Sequence, residues 1–169
     1  EQIVQTNVDA FDKGHDFVKD HAQSGAIRIG KSDGKRRLVA SGNALVGFGA
    51  VATGCRFYAA YPMTPASSLL HWMAKQGAKA GVLVKQAEDE IAVINMTIGA
   101  SHVGARAMCG TAGGGFALMT EAIGEAAMTE TPVVVLEVQR GGPSTGLPTK
   151  TEQADLFQLL GASQGDFPR

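Results

Sequence analysis

Cysteine is scarce in this 169-residue chain: Cys55 and Cys109 are the two present, and they form no CxxC pair. They cannot by themselves hold an iron–sulfur cluster. Both sit in apolar stretches, which fits reduced, buried thiols of a cytosolic protein. An excess of either charge is also missing, since 15 Lys and Arg face 16 Asp and Glu for a net charge of -1. With no basic tail or arginine stripe, nucleic acid is not an expected partner. No apolar run reaches the roughly 18 residues of a membrane span, so no membrane partner is expected either. The basic-then-apolar opening of a signal peptide is absent, and a cytoplasmic location is the expectation. The chain opens at Glu1 without methionine and stops at Arg169 soon after a predicted helix and turn. Both ends read as cuts in a longer polypeptide.

Metal ligands are sparse as well. His15 and His21 belong to the first predicted helix, and His71 and His102 to two others, with no zinc-ligand spacing among them. Ser144 has no histidine placed by spacing to complete a triad.

Hydrophobic residues make up 44% of the chain, enough for a folded core, and the 22 glycines mostly punctuate apolar runs. Residues 2–21 predict an amphipathic helix, bent or interrupted near Gly14. Residues 24–37 turn to Gly, Ser, Lys and Arg and read as an exposed linker or hairpin. Two regions follow, 1–37 and 38–169. In the second, predicted helices (43–53, capped by Ser41 or Asn43; 67–76, closed by Gly77; 88–103; 116–128) alternate with short strands (56–61, 81–85, 107–110, 133–136). Ile91, Ile94 and Ile98 are expected on one buried face of the third of these helices. Continuous apolar strands between helices predict an α/β fold, a doubly wound parallel sheet covered on both faces. Ligands of such sheets bind beyond the carboxyl ends of the strands. Four unusual segments follow strands: 61–68, 86–90, 111–115 and 139–150.

Gly47-Phe-Gly49 is a poor dinucleotide fingerprint, because no strand runs into it and no acid follows at the needed distance. Packing of small residues explains it better. Gln86-Ala-Glu-Asp-Glu90 places three acids at a helix start, where the helix dipole favours them. Glu90 differs from Glu88 and Asp89 in lying beside the buried stripe, where a carboxyl tends to keep its proton and could hydrogen-bond a ring nitrogen. Arg140 and Lys150 bracket a loop dense in glycine and proline. Arginine suits bidentate carboxylate recognition, and lysine suits a carboxylate or a phosphate. Tyr61-Pro-Met-Thr-Pro65 is a strand-to-helix turn in which Thr64 presents polar groups and Pro65 can open the helix.

Taken in order, Tyr61-Pro-Met-Thr-Pro65, Gln86-Ala-Glu-Asp-Glu-Ile91, Gly104-Ala-Arg-Ala107 and Gln139-Arg-Gly-Gly-Pro-Ser-Thr-Gly-Leu-Pro-Thr-Lys150 resemble the 2-oxoacid:ferredoxin oxidoreductases. The likeness is to alpha subunits of the 2-oxoglutarate type and covers 38–169, while residues 1–22 resemble the end of a fused gamma domain. It implies the pyrimidine-binding domain of the thiamine-diphosphate fold, truncated at its C-terminal side. Glu90, Gly99 and Arg106 fall on the family's glutamate and its Gly-x-x-Arg-like turn. By this resemblance Glu90 hydrogen-bonds the pyrimidine N1′, and Tyr61, Thr111, Gly113 and Gly114 line the cofactor. Thr64 and Arg140 would take part in catalysis and hold the substrate carboxylate, and Lys150 would meet a second carboxylate or a coenzyme A phosphate.

The implied reaction converts a 2-oxoacid and coenzyme A to acyl-CoA with ferredoxin as acceptor. The chain has no diphosphate-binding Gly-Asp-Gly element and no cysteine cluster. Mg2+ and [4Fe-4S] are therefore expected in a beta subunit, paired as a heterodimer or a dimer of heterodimers. Thr111-Ala-Gly-Gly-Gly115 departs from the family's usual Thr-Ser-Gly-Pro-Gly, which leaves a non-catalytic domain as an alternative. Pyruvate and branched-chain 2-oxoacids remain alternative substrates.

Overall fold

A computed structural model describes residues 2–21, 30–140 and 155–168. They fall into two compact units, Glu1–Leu38 and Val39–Arg169. The first holds helix α1 (Gln2–His21), which buries no residue. It runs unbroken through Gly14, contrary to the expected interruption. One glycine costs a helix about 1 kcal/mol, too little to end a run of 20 residues. Residues 30–38 form no regular element and are exposed, and the earlier part of the expected linker or hairpin, 24–29, lies outside the described residues.

In the second unit α2 (Gly42–Ala52) is capped by Ser41, whose side chain accepts from the Ala44 amide. Asn43, the other cap candidate, instead donates from Nδ2 to the Pro65 carbonyl (3.0 Å) and to Ser68 Oγ (2.7 Å). Then follow β1 (Phe57–Ala60), α3 (Ser67–Trp72), β2 (Leu83–Gln86), α4 (Glu90–His102), β3 (Ala107–Thr111), α5 (Gly114–Met128), β4 (Val134–Glu137) and α6 (Asp155–Gly161).

Several helix boundaries differ from expectation, among them the start of α4, which falls at Glu90 and not at residue 88 because Asp89 is an extended cap. Gly77 does not close α3, because it keeps a helical φ of -62° and packs on Met73. The chain continues through a widened turn and stops at Gly81, whose φ of 82° gives the left-handed exit. Pro65 does not open α3 either, since that helix starts at Ser67. The glycine-rich turn before α5 is shorter than predicted, because Gly114 and Gly115 are already helical.

All four strands are parallel, in the order β2-β1-β3-β4. The order itself explains the two covered faces. The step from β1 to β2 runs one way and the steps to β3 and β4 the other, so right-handed crossovers send α3 to one face and α4 and α5 to the opposite one. Alternation along the strands supplies both cores. Tyr58, Ala60 and Met108 meet Leu69, Leu70 and Met73 on one side. Ala59 and Cys109 meet Val93, Ile94, Ile98 and Met119 on the other. Ile91 does not share that buried face: it is 53% exposed, while Glu90 takes the inward position beside Val93 and Ile94. The reversal of strand order lies between β1 and β3, the place where open parallel sheets generally bind their ligands.

Candidate cofactor site

Among the described residues, those that follow the four strands lie at the carboxyl edge of the sheet. Asp89 caps α4, its carboxylate accepting from the Ala92 amide at 2.7 Å. The cap leaves Glu90, one residue on, without that duty. Glu90 is 3% exposed, and its Oε1 has no hydrogen-bond partner among the described residues. Burial pushes its carboxyl above the ordinary value; its own backbone amide opposes this, the neighbouring Asp89 charge adds to it, and the Arg140 guanidinium opposes it. Loss of solvation outweighs the helix dipole here. A carboxyl that holds its proton is both donor and acceptor.

Gly115, in the first turn of α5, packs directly on this carboxyl. A Cβ there would lie 2.5 Å from Glu90 Oε1 and 2.8 Å from Glu90 Cγ, and would collide with Thr111 Oγ1 as well. Thr111 is fully buried, and its hydroxyl too lacks a partner among the described residues. Gly113 precedes the helix with φ 39° and ψ -106°, a conformation open to glycine. Its amide donates to Glu137 Oε1 at 2.8 Å.

Arg140 reaches the same edge from the end of the sheet. It is 7% exposed and donates from Nη1 to the Thr64 carbonyl at 3.4 Å. Thr64 belongs to the turn that Asn43 holds through Pro65, and Tyr61, 37% exposed, opens that turn. Glu90, Thr64, Thr111, Gly113 and Arg140 are therefore brought together, and Gly114 sits exposed at the start of α5. Lys150 lies outside the described residues. Arg106, one of the positions carried over by resemblance, is at the opposite end of the sheet, where Nη1 donates to the Thr53 carbonyl. Gly99 is exposed on α4, with nothing within 4 Å of the place its Cβ would take. Among the described residues no group of three or more His, Cys, Asp or Glu could hold a metal ion.

The sequence reading missed Gly115, Glu137 and Asn43. Glu137 carried a signal, a charge closing an otherwise apolar strand. Asn43 carried none, since its partner carbonyl is 22 residues away.

Residues 48–169 match the thiamine-diphosphate-binding family of pyruvate flavodoxin/ferredoxin oxidoreductases. The chain belongs to this family. Its relatives include the 2-oxoglutarate synthase subunit KorA of Archaeoglobus fulgidus, 50% identical over 127 residues, which is 75% of this chain and 37% of that protein. The 2-oxoacid:ferredoxin oxidoreductase 1 alpha subunit of Aeropyrum pernix is 48% identical over 139 residues, 78% of this chain and 22% of its own. A solved structure of the Magnetococcus marinus 2-oxoglutarate:ferredoxin oxidoreductase, with 2-oxoglutarate, coenzyme A and succinyl-CoA bound, aligns with all of this chain. The TM-score is 0.83 at 44% identity, and the match takes in 30% of that chain. The chain thus spans a minor part of each of these proteins. The resemblance in the motifs and the expected parallel α/β fold are both borne out.

The described residues fit the cofactor that the family binds. A buried carboxyl with an unsatisfied oxygen and a raised pKa suits an aminopyrimidine nitrogen, and the glycine turn packs on it without a side chain.

Proposed function

We propose that this chain forms part of the alpha subunit of a thiamine-diphosphate-dependent 2-oxoglutarate:ferredoxin oxidoreductase. The observation that carries the proposal is the buried carboxyl of Glu90, whose Oε1 has no partner among the described residues, at the carboxyl edge of the sheet in a thiamine-diphosphate-binding domain. The overall reaction takes 2-oxoglutarate and coenzyme A to succinyl-CoA, carbon dioxide, two electrons and a proton, the electrons leaving singly to ferredoxin. The names of its relatives support 2-oxoglutarate as the substrate.

When bound, thiamine diphosphate supplies the electron sink that loss of carbon dioxide from a 2-oxoacid requires. Glu90 would hydrogen-bond the pyrimidine nitrogen, a role that its burial and its raised affinity for a proton favour. Thr111 and the Gly113–Gly115 turn line the ring, and Tyr61 borders it. Arg140 pairs with the substrate carboxylate beside Thr64, where its low exposure strengthens the attraction. Lys150 meets the second carboxylate or a coenzyme A phosphate. A beta subunit holds the diphosphate with Mg2+ and the [4Fe-4S] cluster.

The test uses the assembled enzyme with its co-purifying subunits. Viologen reduction is compared across 2-oxoglutarate, pyruvate and branched-chain 2-oxoacids, with and without coenzyme A. The expected result is coenzyme A-dependent reduction, greatest with 2-oxoglutarate and lost in E90Q. Undiminished turnover in E90Q would point to a non-catalytic domain, and no reduction with any acid to other thiamine chemistry.

A further inference from the structure

We infer that Glu137 is a positioning residue of the cofactor site, acting from β4 to hold the turn on which Glu90 is seated. The inference rests on the reading of Glu90 given above. In the sheet Glu137 pairs with Thr111, the last residue of β3, so its side chain starts beside the turn that follows. Its Oε1 accepts from the Gly113 amide at 2.8 Å.

That amide needs such a partner. The chain has left β3 at this point, and Gly113 sits at the cap position of α5, where the first amides of a helix have no acceptor within the helix. A cap residue usually meets this need with its own side chain, and glycine has none. The Gly115 amide is satisfied by the Ala112 carbonyl at 2.9 Å and the Phe116 amide by the Gly113 carbonyl at 3.1 Å. Glu137 therefore caps α5 from a neighbouring strand, and its negative charge suits the positive end of the helix.

The consequence reaches Glu90 through two residues. Gly113 fixes the entry of α5, and Gly115 is packed against Glu90 and Thr111 with no room for a methyl group. A turn that drifts when its amide is released takes Gly115 with it, and the carboxyl loses one wall of its pocket. Glu137 does this without touching the reacting atoms.

The experiment compares E137A and E137Q in the assembled enzyme. Deuterium uptake is followed in the peptide containing Gly113 in the cofactor-free complex, and thiamine diphosphate affinity is measured by calorimetry. E137A is expected to speed uptake in that peptide and to weaken cofactor binding about tenfold to a hundredfold, as loss of a charge-assisted hydrogen bond does. E137Q keeps an acceptor oxygen and is expected to retain most of the protection and most of the affinity. Parental uptake and affinity in E137A overturn the inference, and so does E137Q as impaired as E137A, which marks a bulk structural effect. Should E137A fail to assemble, E137M fills the volume without an acceptor and is read in the same way. Parallel E90Q measurements keep the two readings apart. Lost turnover in E90Q beside parental cofactor binding in E137A sinks the Glu137 role alone, whereas undiminished turnover in E90Q sinks the site reading beneath it.

Discussion

The two ends of the sheet differ in how completely their buried polar atoms are paired. At the amino end, Ser101 donates to the Pro132 carbonyl, Arg106 to the Thr53 carbonyl, and the His102 ring meets the Thr131 hydroxyl at 3.3 Å. At the carboxyl end, Glu90 Oε1 and Thr111 Oγ1 are buried without partners among the described residues. An unmade buried hydrogen bond costs about 1–3 kcal/mol. Polar contacts such as Asp89 with Ala92 and Glu137 with Gly113 hold the carboxyl end as well, so the difference rests on those two unpaired oxygens.

That contrast can be broken most forcefully at Glu90. E90Q in the assembled enzyme is expected to lower kcat roughly a hundredfold to ten-thousandfold, the usual scale for loss of a proton-transferring side chain, as read by viologen reduction. Gly115→Ala comes next. Its methyl has no space beside Glu90 and Thr111, so a cost of about 1–3 kcal/mol is expected, together with a raised apparent Kd for thiamine diphosphate. Arg140→Lys loses bidentate geometry and should raise the KM for the 2-oxoacid about tenfold, with a smaller change in kcat.

A subtler measure is the melting temperature of E90Q against pH. The folded-state pKa of Glu90 lies above its ordinary value of 4.5. Below that value both folded and unfolded chains carry the proton and the residue costs nothing. As pH rises through it, the unfolded chain releases its proton first, and stability declines until the folded form ionises too. E90Q should therefore melt higher than the parent at neutral pH and no higher at pH 4. The smallest effect belongs to the amino end. Ser101→Ala should cost about 1 kcal/mol on thermal unfolding and leave the KM unchanged.

Much of this arrangement was legible in the chain. Apolar strand runs and the acids before Ile91 gave the parallel sheet and the start of α4, because burial and helix capping leave strong local patterns. The environment of Glu90 followed from its place next to Val93 and Ile94. Contacts between distant segments were not legible. Nothing local says that Asn43 holds Pro65, that Glu137 reaches Gly113, or that Gly115 must lack a side chain because Glu90 lies against it. The continuation of the chain past Gly77 was hidden for a related reason. A glycine reads as a stop unless its packing partner, here Met73, is known.

Asp89 and Glu90 are adjacent carboxylates with separate employments, one anchoring a helix and one buried with an oxygen unpaired among the described residues. Because the backbone of α4 is tied down by the first, the second can gain or lose a proton without the helix shifting. Anchorage and ionisation are thereby divided between neighbours, and the mount of the second does not depend on its own charge.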